Sequence, residues 1–218
     1  VQSIQSDQGN VISATLKSGI RIDCELVIIA IGVLPNIDLV KNTAIKTDRG
    51  IVVDGTLQST VEGIYAAGDV AQAFDLVEGG TRPIPILPVA YRQGWVAGLN
   101  MAGRRRLYRG GVAMNAVDVC GLPTISVGIT VPATNEYEIL SSLESSVPRY
   151  RKIVLRDNRI VGFILIGDID RAGILTGLIR DKIDVTSFKE SLLTDDFGLL
   201  HVPKDYRKHI VSGMGIEV

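Results

Sequence analysis

The alternation of hydrophobic and polar positions predicts several β-strands in the first third of the chain. Residues 11–16 alternate in polarity between two turn-forming segments, which is typical of a β-hairpin. Residues 25–31 form a largely β-branched segment that is apolar after Glu25 and ends at Gly32, the pattern of a strand buried on both faces. Residues 50–54 and 64–67 are two further short apolar segments. We therefore predict a hairpin followed by three strands.

The first helical signal follows these strands. Pro88 suits the first turn of a helix, and the apolar pattern after it continues to about Met101, before Gly103 ends it. Gly94 and Gly98 lie four residues apart within this helix. One face therefore has no side chains and can lie close to a neighbouring backbone.

The pattern changes around residue 108. Residues 151–155 and 160–166 flank a polar four-residue turn and predict a second hairpin, one of two strand pairs expected in this half. An amphipathic helix that Asp170 could cap follows, and Ser187 could cap a shorter one. The second half is therefore predicted to be a mostly antiparallel sheet packed against a helix.

Charge and hydropathy exclude two classes of partner. The 218-residue chain has 23 basic and 24 acidic residues, a net charge of −1, and therefore no electrostatic footprint for nucleic acid. Its longest apolar run, residues 26–34, is far shorter than the ~20 residues that a membrane-spanning helix requires. We predict neither a nucleic-acid nor a membrane partner.

The cysteines and the first residue bear on location and completeness. Cys24 and Cys120 are far apart in the sequence and form no metal-binding or redox C-x-x-C pair, which favours inert thiols in a reducing cytoplasm. The chain begins at Val1 in what looks like the middle of a sheet, so we expect it to be an excised part of a longer protein.

The strongest chemical signal is the eleven-residue segment 59–69, Ser-Thr-Val-Glu-Gly-Ile-Tyr-Ala-Ala-Gly-Asp. A short buried strand would deliver its last two residues to the sheet edge where α/β folds bind ligands. Gly68 allows close backbone approach, and an ionised Asp69 can accept hydrogen bonds from vicinal hydroxyls. The dipeptide alone would be an ordinary turn, but the whole pattern favours a polyol-binding site.

This segment resembles the second FAD fingerprint of the pyridine nucleotide-disulfide oxidoreductases, in which the aspartate hydrogen-bonds a ribityl hydroxyl. Residues 30–36 are similar to the family segment that returns from the NAD domain to the FAD domain. Residues 87–90, with Gln93 and Gly94 after them, are similar to its helix facing the flavin ring. A helix N-terminus offers N–H groups and a positive dipole end to a reduced flavin. The resemblance implies FAD as cofactor, NAD(P)H as substrate, and cofactor contacts at Gly32, Gly68, Asp69, Leu87, Pro88 and Val89.

Weaker motifs in the second half resemble one branch of that family, the NADH oxidases, rubredoxin reductases and nitrite reductase flavoproteins. They lie at residues 114–116, 121–123, 160–168 and 195–198. The implied fold class is α/β plus α+β. Residues 1–107 would be part of an FAD-binding domain of the two-dinucleotide-domain type, and residues 108–218 a C-terminal dimerisation domain in a homodimer.

Other observations limit the functional prediction. Neither G-x-G-x-x-G motif of the family is present, so we expect the chain alone to bind no FAD firmly. His201 and His209 lack a partner at a recognisable spacing and suit surface positions, so no catalytic residue is assigned. Asp168 and Asp170 could form a metal pair but lack supporting ligands. The predicted function is part of an FAD-dependent NAD(P)H oxidoreductase with an unidentified acceptor; the alternative is an inactive structural or dimerisation module.

Overall fold

The structure is a computed structural model that describes residues 1–204, 206 and 207. The chain divides into two compact units, one ending at Leu34 and the other beginning at Pro35, and each is described by itself. In the described part of the chain, no helix is long and apolar enough to cross a membrane. His209 lies outside the described residues.

The first unit is a three-stranded antiparallel sheet, consisting of β1 (Ser3–Asp7), β2 (Asn10–Thr15) and β3 (Arg21–Asp23) in that order. A two-residue loop joins β1 to β2. Both of its residues, Gln8 and Gly9, have positive φ, as the twist of a tight hairpin requires. The predicted hairpin around residues 11–16 is confirmed.

The prediction of a buried strand at residues 25–31 is wrong. These residues form no strand, and Ile28 and Ile31 are 80% and 90% exposed. A strand requires hydrogen-bonding neighbours, and the apolar run pairs with no strand among the described residues. The residue types that suit a central strand are therefore present without the sheet that would make them one.

The second unit begins with a small mixed sheet and a long helix. The strands β4 (Ile51–Val52), β5 (Ala71–Phe74) and β6 (Thr81–Arg82) lie in sequence order, with β4 and β5 parallel. The helix α1 (Leu87–Met101) buries Val96 and Ala97 in a core with these strands. Residues 50–54 and the helix after Pro88 are thus predicted correctly.

The expectation of a strand at residues 64–67 is wrong. Residues 64–67 form no regular strand; Tyr65 makes only an isolated antiparallel bridge with Gln58. Gly94 and Gly98 are exposed, and a Cβ added to either would meet no atom within 4 Å. Within the described residues, no backbone packs against this glycine face.

The rest of the second unit is a five-stranded antiparallel sheet with a helix, α2 (Ala172–Arg180), packed against it. The strands are β7 (Met114–Val119), β8 (Leu122–Gly128), β9 (Glu138–Glu144), β10 (Arg149–Arg156) and β11 (Arg159–Ile166). Their spatial order is β7-β8-β11-β10-β9, and α2 packs against β11. The hairpin with a turn at residues 156–159 is confirmed, and so is the sheet-plus-helix architecture. Leu175 and Leu178 of α2 are buried in the core beneath the sheet.

Neither predicted helix cap forms. The residue before α2 is Arg171, and it makes no capping side-chain hydrogen bond; Asp170 precedes it. The second segment is a 3-10 helix, Thr186–Leu193, which contains Ser187 rather than beginning after it. Its first N–H, of Thr186, instead donates to Asp184 Oδ1 at 2.9 Å. The aspartate two residues upstream of the helix therefore provides the acceptor for this N–H.

The domain boundary near residue 108 stays a prediction. Tyr108 is the last residue, in chain order, of the core around β4, β5 and α1. The core of the five-stranded sheet includes Val77 as well as Val112, so its residues come from both sides of residue 108.

Candidate functional site

Gly68 and Asp69 form a tight turn that leads directly into β5. The turn is closed by the Ala71 N–H, which donates to Gly68 O at 2.9 Å, and is tied to β4 by the Ile51 N–H donating to Val70 O at 2.8 Å. Gly68 has φ +82°, in the left-handed region that glycine adopts without strain. The motif thus lies at the start of a strand, whereas the sequence had suggested that it would lie at the end of one.

The first turn of α1 lies beside this turn. A Cβ built on Gly68 would lie 3.5 Å from Ala90 Cβ, so the turn and the helix start are in contact distance. The Gly68 N–H donates to Gln93 Oε1 at 2.7 Å, a hydrogen bond from the motif to the second turn of the helix. The structure therefore brings Gly68 and Asp69 together with the helix start at Leu87, Pro88 and Val89.

The helix start offers fewer free donors than its sequence suggests. Pro88 has no N–H, and the N–H groups of Val89 and Ala90 both donate to Ile86 O, at 3.1 and 3.0 Å. The Leu87 N–H donates to no acceptor in the described part of the chain. Leu87 and Pro88 are exposed whereas Val89 is buried, so a ligand could touch the first two side chains but only the backbone of the third.

Asp69 itself is exposed, and its carboxylate has no hydrogen-bond or ion-pair partner among residues 1–204, 206 and 207. Both oxygens are therefore available to accept hydrogen bonds from a ligand. A carboxylate beside a glycine turn and a helix N-terminus is a donor and acceptor set that fits the polyol chain of FAD.

Gly32 belongs to the first compact unit, whereas the other five predicted cofactor residues belong to the second. Its φ of +90° explains the choice of glycine, and a Cβ added there would meet nothing within 4 Å.

Gln93 is a residue of the site to which the sequence analysis assigned no role, although it belongs to the segment that resembles the family helix. Its side chain is almost fully buried, with 1% of the residue exposed. In addition to accepting the Gly68 N–H, it donates from Nε2 to the Tyr108 hydroxyl at 3.4 Å. The available signal was a polar residue at a position of α1 that the helical period places on the same face as Val89, Val96 and Ala97.

The remaining candidates have structural roles. Asp168 Oδ2 accepts from Arg151 Nη2 at 2.7 Å, so this carboxylate is engaged in a salt bridge rather than a metal pair with Asp170. No group of three or more metal-ligating side chains occurs in the described residues. His201 is half-buried rather than on the surface: its ring lies 5.9 Å from that of Phe197, and its Nδ1 accepts the Gly198 N–H.

Salt-bridge formation by Asp168 predicts a pH-dependent stability. The hydrogen bond from Arg151 lowers the pKa of Asp168 in the folded state. Its contribution should therefore be complete above the unfolded pKa of about 3.9 and be lost as pH falls through the folded value. We expect Asp168→Asn to lower the free energy of unfolding by about 1 kcal/mol at pH 7. Urea midpoints measured between pH 2 and 7 should show the gap from wild type closing at acid pH.

Asp170→Asn is the matched control, because Asp170 lies two residues away and is in no ion pair among the described residues. It should leave the acid limb of the stability curve unchanged. A gap between Asp168→Asn and wild type that is as large at pH 2 as at pH 7 would contradict the assignment.

Two family models match the chain. A model described as pyridine nucleotide-disulphide oxidoreductase matches residues 1–94, and one described as rubredoxin NAD+ reductase C-terminal domain matches residues 114–183. The two matches lie on either side of the segment in which the sequence pattern changes.

Curated relatives of known activity match most of the chain. It is 30% identical over 171 residues to the nitrite reductase [NAD(P)H] of Bacillus subtilis, covering 78% of this chain and 20% of the relative. It is 33% identical over 150 residues to the NADH-rubredoxin oxidoreductase of Clostridium acetobutylicum, covering 69% and 37%. The chain therefore spans a fifth to well under half the length of these relatives.

Solved structures support the fold. A NAD-dependent persulfide reductase from A. fulgidus superposes with a TM-score of 0.75 at 24% identity, covering 84% of this chain and 37% of that one. The predicted fold class, α/β plus α+β of the flavoprotein reductase type, is confirmed. Sequence motifs, family models and fold agree, and the predicted resemblance to the pyridine nucleotide-disulfide oxidoreductase family is confirmed by the models that match residues 1–94 and 114–183.

Proposed function

We propose that this chain is part of an FAD-dependent oxidoreductase that transfers hydride from NADH or NADPH to flavin and then electrons to an acceptor. The observation that carries the proposal is the open Asp69 carboxylate on a glycine turn held against the first turn of α1. When bound, FAD would supply the hydride and electron chemistry.

The chain's own residues would bind and orient the cofactor. The Asp69 oxygens would accept hydrogen bonds from ribityl hydroxyls, and Gly68 would keep the backbone clear of a Cβ at that contact. The positive end of α1 and the Leu87 N–H would favour negative charge on a reduced ring. No side chain is assigned as an acid, base or nucleophile.

The test is spectroscopic, on the full-length protein that contains this chain. We expect a stoichiometric flavin absorbance band that bleaches anaerobically on addition of NADH or NADPH. We expect the 218-residue chain purified alone to retain no stoichiometric flavin, because it has no G-x-G-x-x-G loop to bind the pyrophosphate. A full-length protein without flavin would overturn the proposal and favour the alternative, a structural or dimerisation module.

The domain organisation and the homodimer are proposals of the same kind. We propose that residues 1–107 contribute to the FAD-binding domain and residues 108–218 form the dimerisation domain. Large apolar side chains exposed on the edge strands β7 and β9 support an interface; they are Val117, Val119, Ile139 and Leu143. The apolar stripe of α2 is already used in its own core. Light scattering should report the molar mass of a dimer at micromolar concentration, and the molar mass of a monomer would contradict the proposed homodimer.

A cytoplasmic location is also proposed. It rests on Cys24 and Cys120, neither of which has a disulfide partner, and Cys120 is exposed at a hairpin turn. A free exposed thiol persists in a reducing compartment. Fractionation of cells that express the full-length protein would test it.

A further inference from the structure

We propose that Gln93 is a positioning residue that sets the conformation of the Gly68–Asp69 turn for the cofactor. The inference rests on the proposed function, because the turn has a role only if flavin binds there. It also makes a claim about the turn itself that holds with or without flavin: the buried amide of Gln93 determines where the motif backbone lies.

Both ends of the Gln93 side-chain amide make hydrogen bonds. Gln93 Oε1 accepts the Gly68 N–H at 2.7 Å, and Nε2 donates to the Tyr108 hydroxyl at 3.4 Å. A carboxamide has an acceptor at one end and donors at the other, so the Gly68 contact fixes which way it points. Tyr108 is itself 7% exposed, and burial raises the pKa of its phenol, which keeps the hydroxyl neutral and able to accept.

The position of the Asp69 carboxylate depends on the backbone of the turn. The Asp69 carboxylate has no hydrogen-bond partner in the described part of the chain, so the backbone of the turn alone determines its position. Besides the Gln93 contact, the turn is held by the Ala71 N–H, which donates to Gly68 O, and by the Ile51 N–H of β4, which donates to Val70 O; neither of these bonds engages the Gly68 N–H. Removal of the Gln93 amide would leave the Gly68 N–H without its acceptor, and the turn would relax toward a conformation that satisfies it.

The hydrogen bond from Gly68 to Gln93 joins the aspartate turn to α1. Gln93 is on α1, one turn after Ala90, which lies against Gly68. Its hydrogen bond therefore holds the aspartate turn at a fixed distance from the helix start at Leu87. A cofactor contacting both would depend on that spacing, because misplacement of a contact by about 1 Å can lose much of its benefit.

The chain offers a matched control in Gln72. This second buried glutamine, 5% exposed on β5, accepts the N–H groups of Arg49 and Gly50 at 3.0 and 3.2 Å. It also donates to Asp48 Oδ2 at 3.1 Å. Gln72→Met and Gln93→Met each remove a buried amide of the same size, but Gln93→Met alone removes a hydrogen bond to the Gly68–Asp69 turn.

The experiment compares the two variants in the full-length protein. Hydrogen exchange measured by mass spectrometry on peptides covering residues 66–70 should be about tenfold faster in Gln93→Met. The flavin dissociation constant should also rise about tenfold, whereas Gln72→Met should leave both values within about twofold of wild type. Gln93→Glu, which keeps an acceptor and, when protonated, a donor, should restore exchange protection at acid pH.

Three outcomes decide the matter. Wild-type values in Gln93→Met, for exchange or for flavin, would overturn the inference. Equal weakening of flavin binding by Gln72→Met would overturn it too, since general loosening would then explain the effect. A wild-type protein without flavin affinity would overturn the proposed function and the flavin half of this inference, while the exchange rates would still decide whether Gln93 holds the turn.

Discussion

Replacing Gly162 by alanine is expected to destabilise the second unit more than any other single methyl addition to its sheet. Gly162 lies in β11 opposite Gly128 of β8, where the Ile129 N–H donates to Val161 O at 2.9 Å. A Cβ on Gly162 would overlap the backbone N, C and O atoms of Ile129, which cannot rotate away as a side chain could. We expect a loss of about 3 kcal/mol or more in the free energy of unfolding, at or beyond the upper end for overpacking.

The measurement is urea unfolding followed by circular dichroism. Gly173→Ala is the control: Gly173 lies in α2, on the helix packed against the same strand, and an added Cβ would meet nothing within 4 Å. In a helix that substitution should be neutral or should stabilise by up to about 1 kcal/mol. A Gly162→Ala protein as stable as wild type would show that the backbones of β8 and β11 do not approach so closely at Gly162.

The hairpins were predictable because their determinants are local. Each tight loop needs two consecutive residues with positive φ. Residue types that adopt positive φ readily, such as Gly9, Asn158 and Gly121 at these positions, indicate a tight loop in the sequence. The helix α1 was predictable for the same reason. Pro88 suits a helix start, and Gly103, with φ +76°, suits a chain leaving one.

The failures have two physical causes, and the first is dependence on distant partners. The run at residues 25–31 has the composition of a central strand, but composition cannot supply the neighbouring strands that a sheet requires. Asp170 and Ser187 have good capping side chains, yet the geometry of the chain before each helix placed other residues at the caps.

The candidate site shows the same division. Gly68 and Asp69 were recognisable because the motif is contiguous and its chemistry is carried by residue type. Gln93 was recognisable only as part of the helix motif, because the role of a glutamine in a helix is not evident until its burial and its hydrogen bond to Gly68 are known. The functional side chain was visible in the sequence, and the hydrogen bond that holds its backbone in place was not.

Asp69→Ala is expected to have the largest effect on the proposed function. The carboxylate has no partner of its own among the described residues, so its removal should cost the fold little. Each lost hydrogen bond between a charged group and a ligand hydroxyl is worth about 1.5–3 kcal/mol, so the flavin dissociation constant of the full-length protein should rise about 10- to 100-fold. Fluorescence titration of the apoprotein with FAD would measure it, beside a thermal melt of the apoprotein.

Asp54→Ala separates a flavin contact from a turn residue. Asp54 also stands in a loop, but its carboxylate accepts hydrogen bonds from Thr56 and Gln58, and these hydrogen bonds lower its pKa despite the opposing effect of burial. Its substitution should lower the melting temperature and leave flavin affinity per folded molecule unchanged, the reverse of the Asp69 result. Loss of stability without loss of flavin affinity in Asp69→Ala would make Asp69 a structural turn residue, and the polyol contact would then have to come from elsewhere in the full-length protein.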